Sequence, residues 1–224
     1  KDTPEYMSER IYRLTPGNGW EELDATVPGG VLMESRSLYN PHDGLVYVFG
    51  GATSASNNTD RIWTFDPETE SVVDAEWQTL PEASRWPSVG LVEVDATWYA
   101  HCLGGIAYDD DGHYAVDTNT RYNLATGDRE RMNSLPTGVA RATGHDPVLD
   151  NVIYLLDGAQ ATAYDPEADA FFDVQSIDEG LSFGAHGVHD DELVVLGGHD
   201  KIEEGEHEGA HDTTDRVWRY TPPC

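Results

Sequence analysis

The segment running from His199 to Asp212 (His199-Asp200-Lys201-Ile202-Glu203-Glu204-Gly205-Glu206-His207-Glu208-Gly209-Ala210-His211-Asp212) is the first place in this sequence to look for chemistry. Within it, His207-Glu208-Gly209-Ala210-His211 has the form His-Glu-x-x-His. In zinc hydrolases that spacing works on a helix, where both histidines face one ion and the glutamate is the base. Gly205 and Gly209 and the strand-like runs on either side argue against a helix here. Thr214 and Val217 stand where an extended metzincin site needs Gly and His. The segment therefore reads as a solvated acidic loop, with weak binding of a divalent metal by His199, His207 and His211 as the alternative. No other cofactor is expected.

Further candidates are thinner. Asp109-Asp110-Asp111-Gly112-His113 has the start of a calcium loop, but Thr120 stands where an EF-hand places its bidentate Glu. It reads as a charged loop. Asn57-Asn58-Thr59 is an N-glycosylation sequon on a predicted loop. His186 and His189 lie on or beside a predicted strand and read as structural, with a role facing a central channel as the alternative. Cys102 sits inside an apolar run and reads as a small buried apolar residue. With Cys224 as the last residue, two cysteines give no disulfide framework. No nucleophile–base constellation or phosphate loop is visible, so no residue is assigned a catalytic role.

The elements that must position these residues recur along the chain. Four β-prone runs end in small residues: Leu45 to Gly50-Gly51, Trp98 to Gly104-Gly105, Val152 to Asp157-Gly158, and Leu193 to Gly197-Gly198. Their spacing fits a repeat of about 40 to 50 residues with variable loops. After each doublet comes an aromatic run that closes in a turn signal: Arg61-Ile62-Trp63-Thr64-Phe65-Asp66-Pro67, Arg121-Tyr122-Asn123, Ala163-Tyr164-Asp165-Pro166 and Arg216-Val217-Trp218-Arg219-Tyr220-Thr221-Pro222. A fifth copy, Arg10 to Pro16, has no doublet before it. Next come Trp20-Glu21-Glu22-Leu23, Trp77-Gln78-Thr79-Leu80-Pro81, Met132-Asn133-Ser134-Leu135-Pro136 and Phe171-Phe172-Asp173-Val174. A further strand precedes each doublet run, led by Arg36, Arg85 and Arg141 in three copies and beginning at Phe183 in the fourth.

This order resembles the kelch repeat, and the resemblance covers nearly the whole chain. It departs from the pattern at Asp157 and in the short last repeat. It implies an all-β, kelch-type β-propeller, 1–224 as a single domain, with blades near 1–30 (partial), 31–84, 85–138, 139–180 and 181–224. Gly50, Gly51, Gly104, Gly105, Gly158, Gly197 and Gly198 would mark strand ends, and Trp63, Tyr122, Tyr164 and Trp218 would mark the aromatic strand. The strand types are unequal in number, which favours a piece of a larger propeller. The alternative closes four blades by using 20–23 as the outer strand of the last. Radial stacking explains the pattern, because a lone four-stranded sheet cannot bury both faces. By analogy with the family, the expected function is a non-catalytic scaffold that binds a protein or glycan through its loops. Some kelch proteins are copper-radical oxidases or sialic-acid epimerases, so a carbohydrate-active or oxidative enzyme with its site at the propeller channel, partly outside this chain, is the alternative.

Composition bounds the partners. The chain carries 42 acidic against 13 basic residues, for a net charge of −29. Lys1 and Lys201 are its only lysines. Charge this large makes the folded state repel itself at low ionic strength, and molar salt shortens the Debye length to roughly 3 Å. The composition resembles that of proteins from salt-accumulating organisms. Nucleic acid and anionic membranes are disfavoured as partners, since both need clustered Lys or Arg. No run approaches the ~20 apolar residues of a membrane span, so no membrane insertion is expected. Lys1-Asp2-Thr3-Pro4-Glu5 shows no signal peptide. A soluble protein of a high-salt cytoplasm or the cell exterior is expected.

Overall fold

The computed structural model describes residues 8–109, 112–136, 147–157, 160–175, 184–200, 212–213 and 215–222. Among them every regular element is a strand. Three four-stranded antiparallel meanders run in chain order. The first comprises Arg36–Tyr39, Val46–Phe49, Arg61–Asp66 and Ser71–Thr79. Ser88–Val94, Thr97–Leu103, Asn119–Asn123 and Arg129–Arg131 form the second. The third is built from Val148–Leu149, Val152–Asp157, Gln160–Asp165 and Ala170–Asp173. A fourth sheet pairs Ala185–His189, Glu192–Leu196 and Val217–Tyr220, and Arg10–Thr15 pairs with Gly19–Thr26 ahead of the first meander. Short hairpins branch off after the doublets: Ala52–Ser54 with Asn57–Asn58, Ile106–Asp109 with Gly112–Ala115, and His199–Asp200 with Asp212–Thr213.

The chain forms two compact units, Lys1–Pro87 with Ile106–Tyr114, and Ser88–Gly105 with Ala115–Cys224. The first buries Leu23, Val48, Trp63 and Phe65 together. The second buries Val92, Leu103, Leu135, Ile153, Leu155 and Tyr164 in one cluster and Leu149, Tyr154, Ala163 and Leu193 in another. Burial alternates along Ser88–Val94 as a strand with one covered face requires.

The glycine doublets share one backbone shape. Their φ values are 54° and 108° at Gly50-Gly51, 61° and 107° at Gly104-Gly105, and 61° and 116° at Gly197-Gly198. The second value of each pair is one that side chains other than glycine rarely adopt. Close packing adds to this: a Cβ on Gly50 would stand 2.5 Å from the Ser84 carbonyl oxygen. Gly158 lies outside the described residues. Three of the aromatic strands also end in a shared turn. The side-chain oxygen Oδ1 of Asp66, Asn123 or Asp165 accepts from the two amides that lie two and three residues on.

These shared bonds fix which residues are equivalent, and they correct the sequence register in three places. Arg36 pairs with Phe49 just before its doublet, and Ser88 pairs with Leu103 just before the next. Arg36 is therefore equivalent to Ser88, and Arg85 lies three residues ahead of its strand. Phe65, Tyr122 and Tyr164 share one column, each directly before its turn residue. Trp63 and Trp218 share another, opposite Val48 and Val195. Third, the Leu80 amide bonds to the Asp60 carbonyl, as Leu135 does to Asp117 and Val27 to Glu9. Val27, not Leu23, is thus the counterpart of Leu80, and Trp20 is 72% exposed and not the counterpart of Trp77.

Candidate functional site

Ser84-Arg85-Trp86-Pro87 joins two strands, so its polar groups must find partners outside any ladder. The Arg85 amide and carbonyl pair with those of Ile106. Its side chain is 5% exposed, and Nη1 lies 2.9 Å from the Glu34 carboxylate. Nε donates to Asn58 Oδ1 at 2.8 Å, and Nη2 to the carbonyls of Ala55 and Ser54 at 3.1 and 3.4 Å. The guanidinium carbon sits 4.6 Å from the centre of the Tyr108 ring. Asn58 in turn donates to the Ile106 carbonyl at 2.8 Å. One buried cation thereby ties together the loop at Glu34, the hairpin 52–58 and the strand Ile106–Asp109. Burying an unpaired guanidinium would be costly, and here Nε and Nη2 find acceptors while Nη1 lies beside a carboxylate.

Above this anchor, the hairpin 106–115 turns polar aromatic groups to solvent. Tyr108 is 39% exposed and Tyr114 38%, with His113 exposed as well. The Tyr108 and His113 rings lie 6.0 Å apart. The Tyr114 hydroxyl donates to the Glu82 carboxylate, which raises its pKa.

A second polar centre, which the sequence reading passed over, lies in the other unit. His101 is fully buried on the strand Thr97–Leu103. Its Nδ1 is 3.2 Å from Asn119 Oδ1, while its Nε2, Asn119 Nδ2 and Ser88 Oγ have no partner among the described residues. Burial lowers its pKa to about 4, so the ring is neutral. It packs 5.2 Å from the ring of Tyr164, whose hydroxyl donates to Asp169 at 2.9 Å. Burial first, and then the Asp169 bond, raise the Tyr164 pKa. The signal available was a histidine in the middle of an apolar run, at the register that Tyr47 occupies in the first meander.

The sites expected from sequence fall as follows. His199 lies on a two-residue strand opposite Thr213, and His207 and His211 lie outside the described residues. Among the described residues no group of three or more His, Cys, Asp or Glu side chains is placed to hold a metal. Asp109 ends a strand and is exposed, Asp110 and Asp111 are outside the described residues, and Thr120 is buried in a strand opposite Cys102. Asn57 of the sequon is exposed, on the short strand Asn57–Asn58. Cys102 is buried, and desolvation pushes its thiol up to about 12. His186 is half-buried; His189 is exposed, 3.4 Å from the Asp190 carboxylate. Gly50, Gly51, Gly104, Gly105, Gly197 and Gly198 end strands, and Trp63, Tyr122, Tyr164 and Trp218 lie on third strands of their sheets. No helix among the described residues is long and apolar enough to cross a membrane.

No protein-family model and no curated protein matches the chain. It is similar to a solved structure titled "Structure of YjhT", with a TM-score of 0.64 and 15% sequence identity, over 89% of this chain and 75% of that one. YjhT is a β-propeller, and the likeness shows that fold for this chain.

Proposed function

We propose that the chain is a kelch-type recognition scaffold, non-catalytic, that binds a protein or glycan partner through its loops. The observation that carries this reading is the hairpin 106–115. It offers exposed Tyr108, His113 and Tyr114 on a base that Arg85 holds in place. Aromatic side chains on a fixed loop give large contact area with little entropy lost on binding. The shared φ pairs of the glycine doublets support the kelch assignment. The test is binding of the wild-type chain to arrayed glycans and to displayed peptides, in molar KCl. His113→Ala with Tyr114→Ala should reduce binding at least about tenfold while the melting curve is kept. Ligands held equally well by both proteins would refute the reading.

The same proposal includes adaptation to high salt, which the net charge of −29 supports. Melting temperature should climb steeply as KCl rises from about 0.1 to about 3 M, because screening removes unpaired carboxylate repulsion. A melting temperature indifferent to chloride over that range would remove this part of the proposal.

A further inference from the structure

Ser71–Thr79 is the last strand of the first meander, and its pairing with Arg61–Asp66 is irregular. Ile62 stands opposite Gln78 and Thr64 opposite Asp74. One residue on the third strand therefore faces three, Ala75, Glu76 and Trp77, on the last. The excess is held by local bonds. Asp74 N donates to Thr64 Oγ1 at 3.0 Å, and Glu76 N donates to Asp74 Oδ1 at 2.9 Å. Bulges of this kind re-aim side chains at sheet edges. This one turns Trp77 into a cleft of about 420 Å³ lined by Thr59, Asp60, Arg61, Glu76, Gln78 and Thr79 as well.

The lining is prearranged. Trp77 meets Tyr47 edge to face, with ring centres 4.9 Å apart. Tyr47 is buried and donates to Asp43 at 2.7 Å, so the tryptophan leans on a fixed partner. Arg61 donates Nη1 to the Pro28 carbonyl, and it can lie there because Gly29 has no Cβ: one placed on it would fall 2.2 Å from Nη1. Within the described residues the carboxylates of Asp60 and Glu76 and the Gln78 amide make no hydrogen bond of their own.

From these features we infer that the cleft binds a neutral sugar residue, with its apolar face on Trp77. Its size is within the range of about 300 to 1,000 Å³ usual for small-molecule sites. Asp60 and Glu76 supply acceptors only, Arg61 supplies donors only, and Gln78 and Thr59 supply both. A sugar ring, with hydroxyls that donate and accept around an apolar face, matches that mixture. An anion would meet two carboxylates, and a cation would meet the fixed guanidinium of Arg61. A neutral ligand held by stacking and short hydrogen bonds also keeps its affinity in strong salt, where charge attraction between exposed groups is screened. This inference uses none of the residues of the 106–115 hairpin and stands without the loop reading above.

The test uses the whole chain labelled with 5-fluorotryptophan, in KCl. The six tryptophans give separate fluorine signals, and Trp77→Phe assigns the one in question. The probes are glucose, galactose, mannose, N-acetylglucosamine and their short β- and α-linked oligomers. At least one series should shift the Trp77 signal saturably and leave that of exposed Trp20 unmoved. Trp77→Ala should weaken binding at least about tenfold and Trp77→Tyr far less, since stacking survives in the second. Asp60→Asn with Glu76→Gln should weaken it several-fold at an unchanged melting temperature. Affinity should hold within about twofold between 0.5 and 3 M KCl. The inference is overturned if no sugar moves the Trp77 signal. It is equally overturned if a lysine-rich peptide or tetramethylammonium moves it while sugars do not, or if sugar binding survives Trp77→Ala.

Discussion

Arg85 in one compact unit and His101 in the other are both buried, titratable and polar, and the chain accommodates them in opposite ways. Arg85 is surrounded by groups that suit its charge: Asn58 and two backbone carbonyls accept from Nε and Nη2, the Glu34 carboxylate lies beside Nη1, and Tyr108 covers its face. His101 gives up its charge, since it has a single neutral partner and burial holds its pKa near about 4. A guanidinium cannot discard its proton, so burying it demands a complete set of acceptors; an imidazole can, so an incomplete set suffices. Loop segments that must be gathered around a point favour the first arrangement, and a strand interior favours the second.

Arg85→Met should break the comparison most severely. It leaves Glu34 without its cation, and Asn58 and the carbonyls of Ser54 and Ala55 without their donor, and should cost about 3 to 5 kcal/mol in urea unfolding. Glu34→Gln on top of it should recover part of the loss; full additivity would mean that the two residues do not act as a pair. His101 should appear through pH instead. Its folded pKa, about 4, lies below the unfolded value, so as pH falls the unfolded chain takes the proton first. Stability is complete above about pH 6.5 and declines toward pH 4, by up to about 3 kcal/mol. His101→Gln should remove that share, so the stability gap between pH 7 and pH 4.5 should shrink relative to wild type. An unchanged gap would show that the histidine is not held neutral.

Two smaller effects sharpen the contrast. Gly50→Ala should cost about 2 kcal/mol, because the new methyl meets the Ser84 carbonyl at the residue before Arg85 and adds a strained φ. The same change at Gly187, where φ is not positive and a Cβ meets nothing within 4 Å, should cost less. Glu130→Gln removes the partner of Arg121, 2.6 Å away at the surface, and should cost under about 1 kcal/mol, near the limit of a melting experiment. A loss as large as that of Arg85→Met would overturn the distinction between buried and exposed charge drawn here.

The all-β fold and its propeller arrangement were legible in the sequence because they rest on local signals that repeat. Gly50-Gly51, Gly104-Gly105 and Gly197-Gly198 end strands where their spacing predicts, and Asp66-Pro67 and Asp165-Pro166 close the turns. Register was not legible, since matching by residue type set Trp20 against Trp77 and Tyr122 against Trp63. Backbone bonds decide equivalence, and those depend on bulges that composition does not reveal. Arg85 was noticed as the leader of a strand, but its set of acceptors comes from residues 34, 54, 55 and 58, which only the folded chain brings together. His101 was passed over because a single histidine in an apolar run carries no spacing. The cleft at Trp77 was hidden for the same reason as the register, being made by two surplus residues in an edge strand.

That surplus has a consequence for how the molecule can change over time. Among the described residues Ser71–Thr79 is hydrogen-bonded to one neighbouring strand, so residues gained or lost there need no matching change on a second side. In Val46–Phe49, flanked by strands on both sides, the same gain would shift two ladders at once and turn core side chains outward. An insertion at the margin of the sheet should therefore cost far less than one in its middle. The margin is where this chain has room to acquire new surface chemistry while the stacked interior stays as it is.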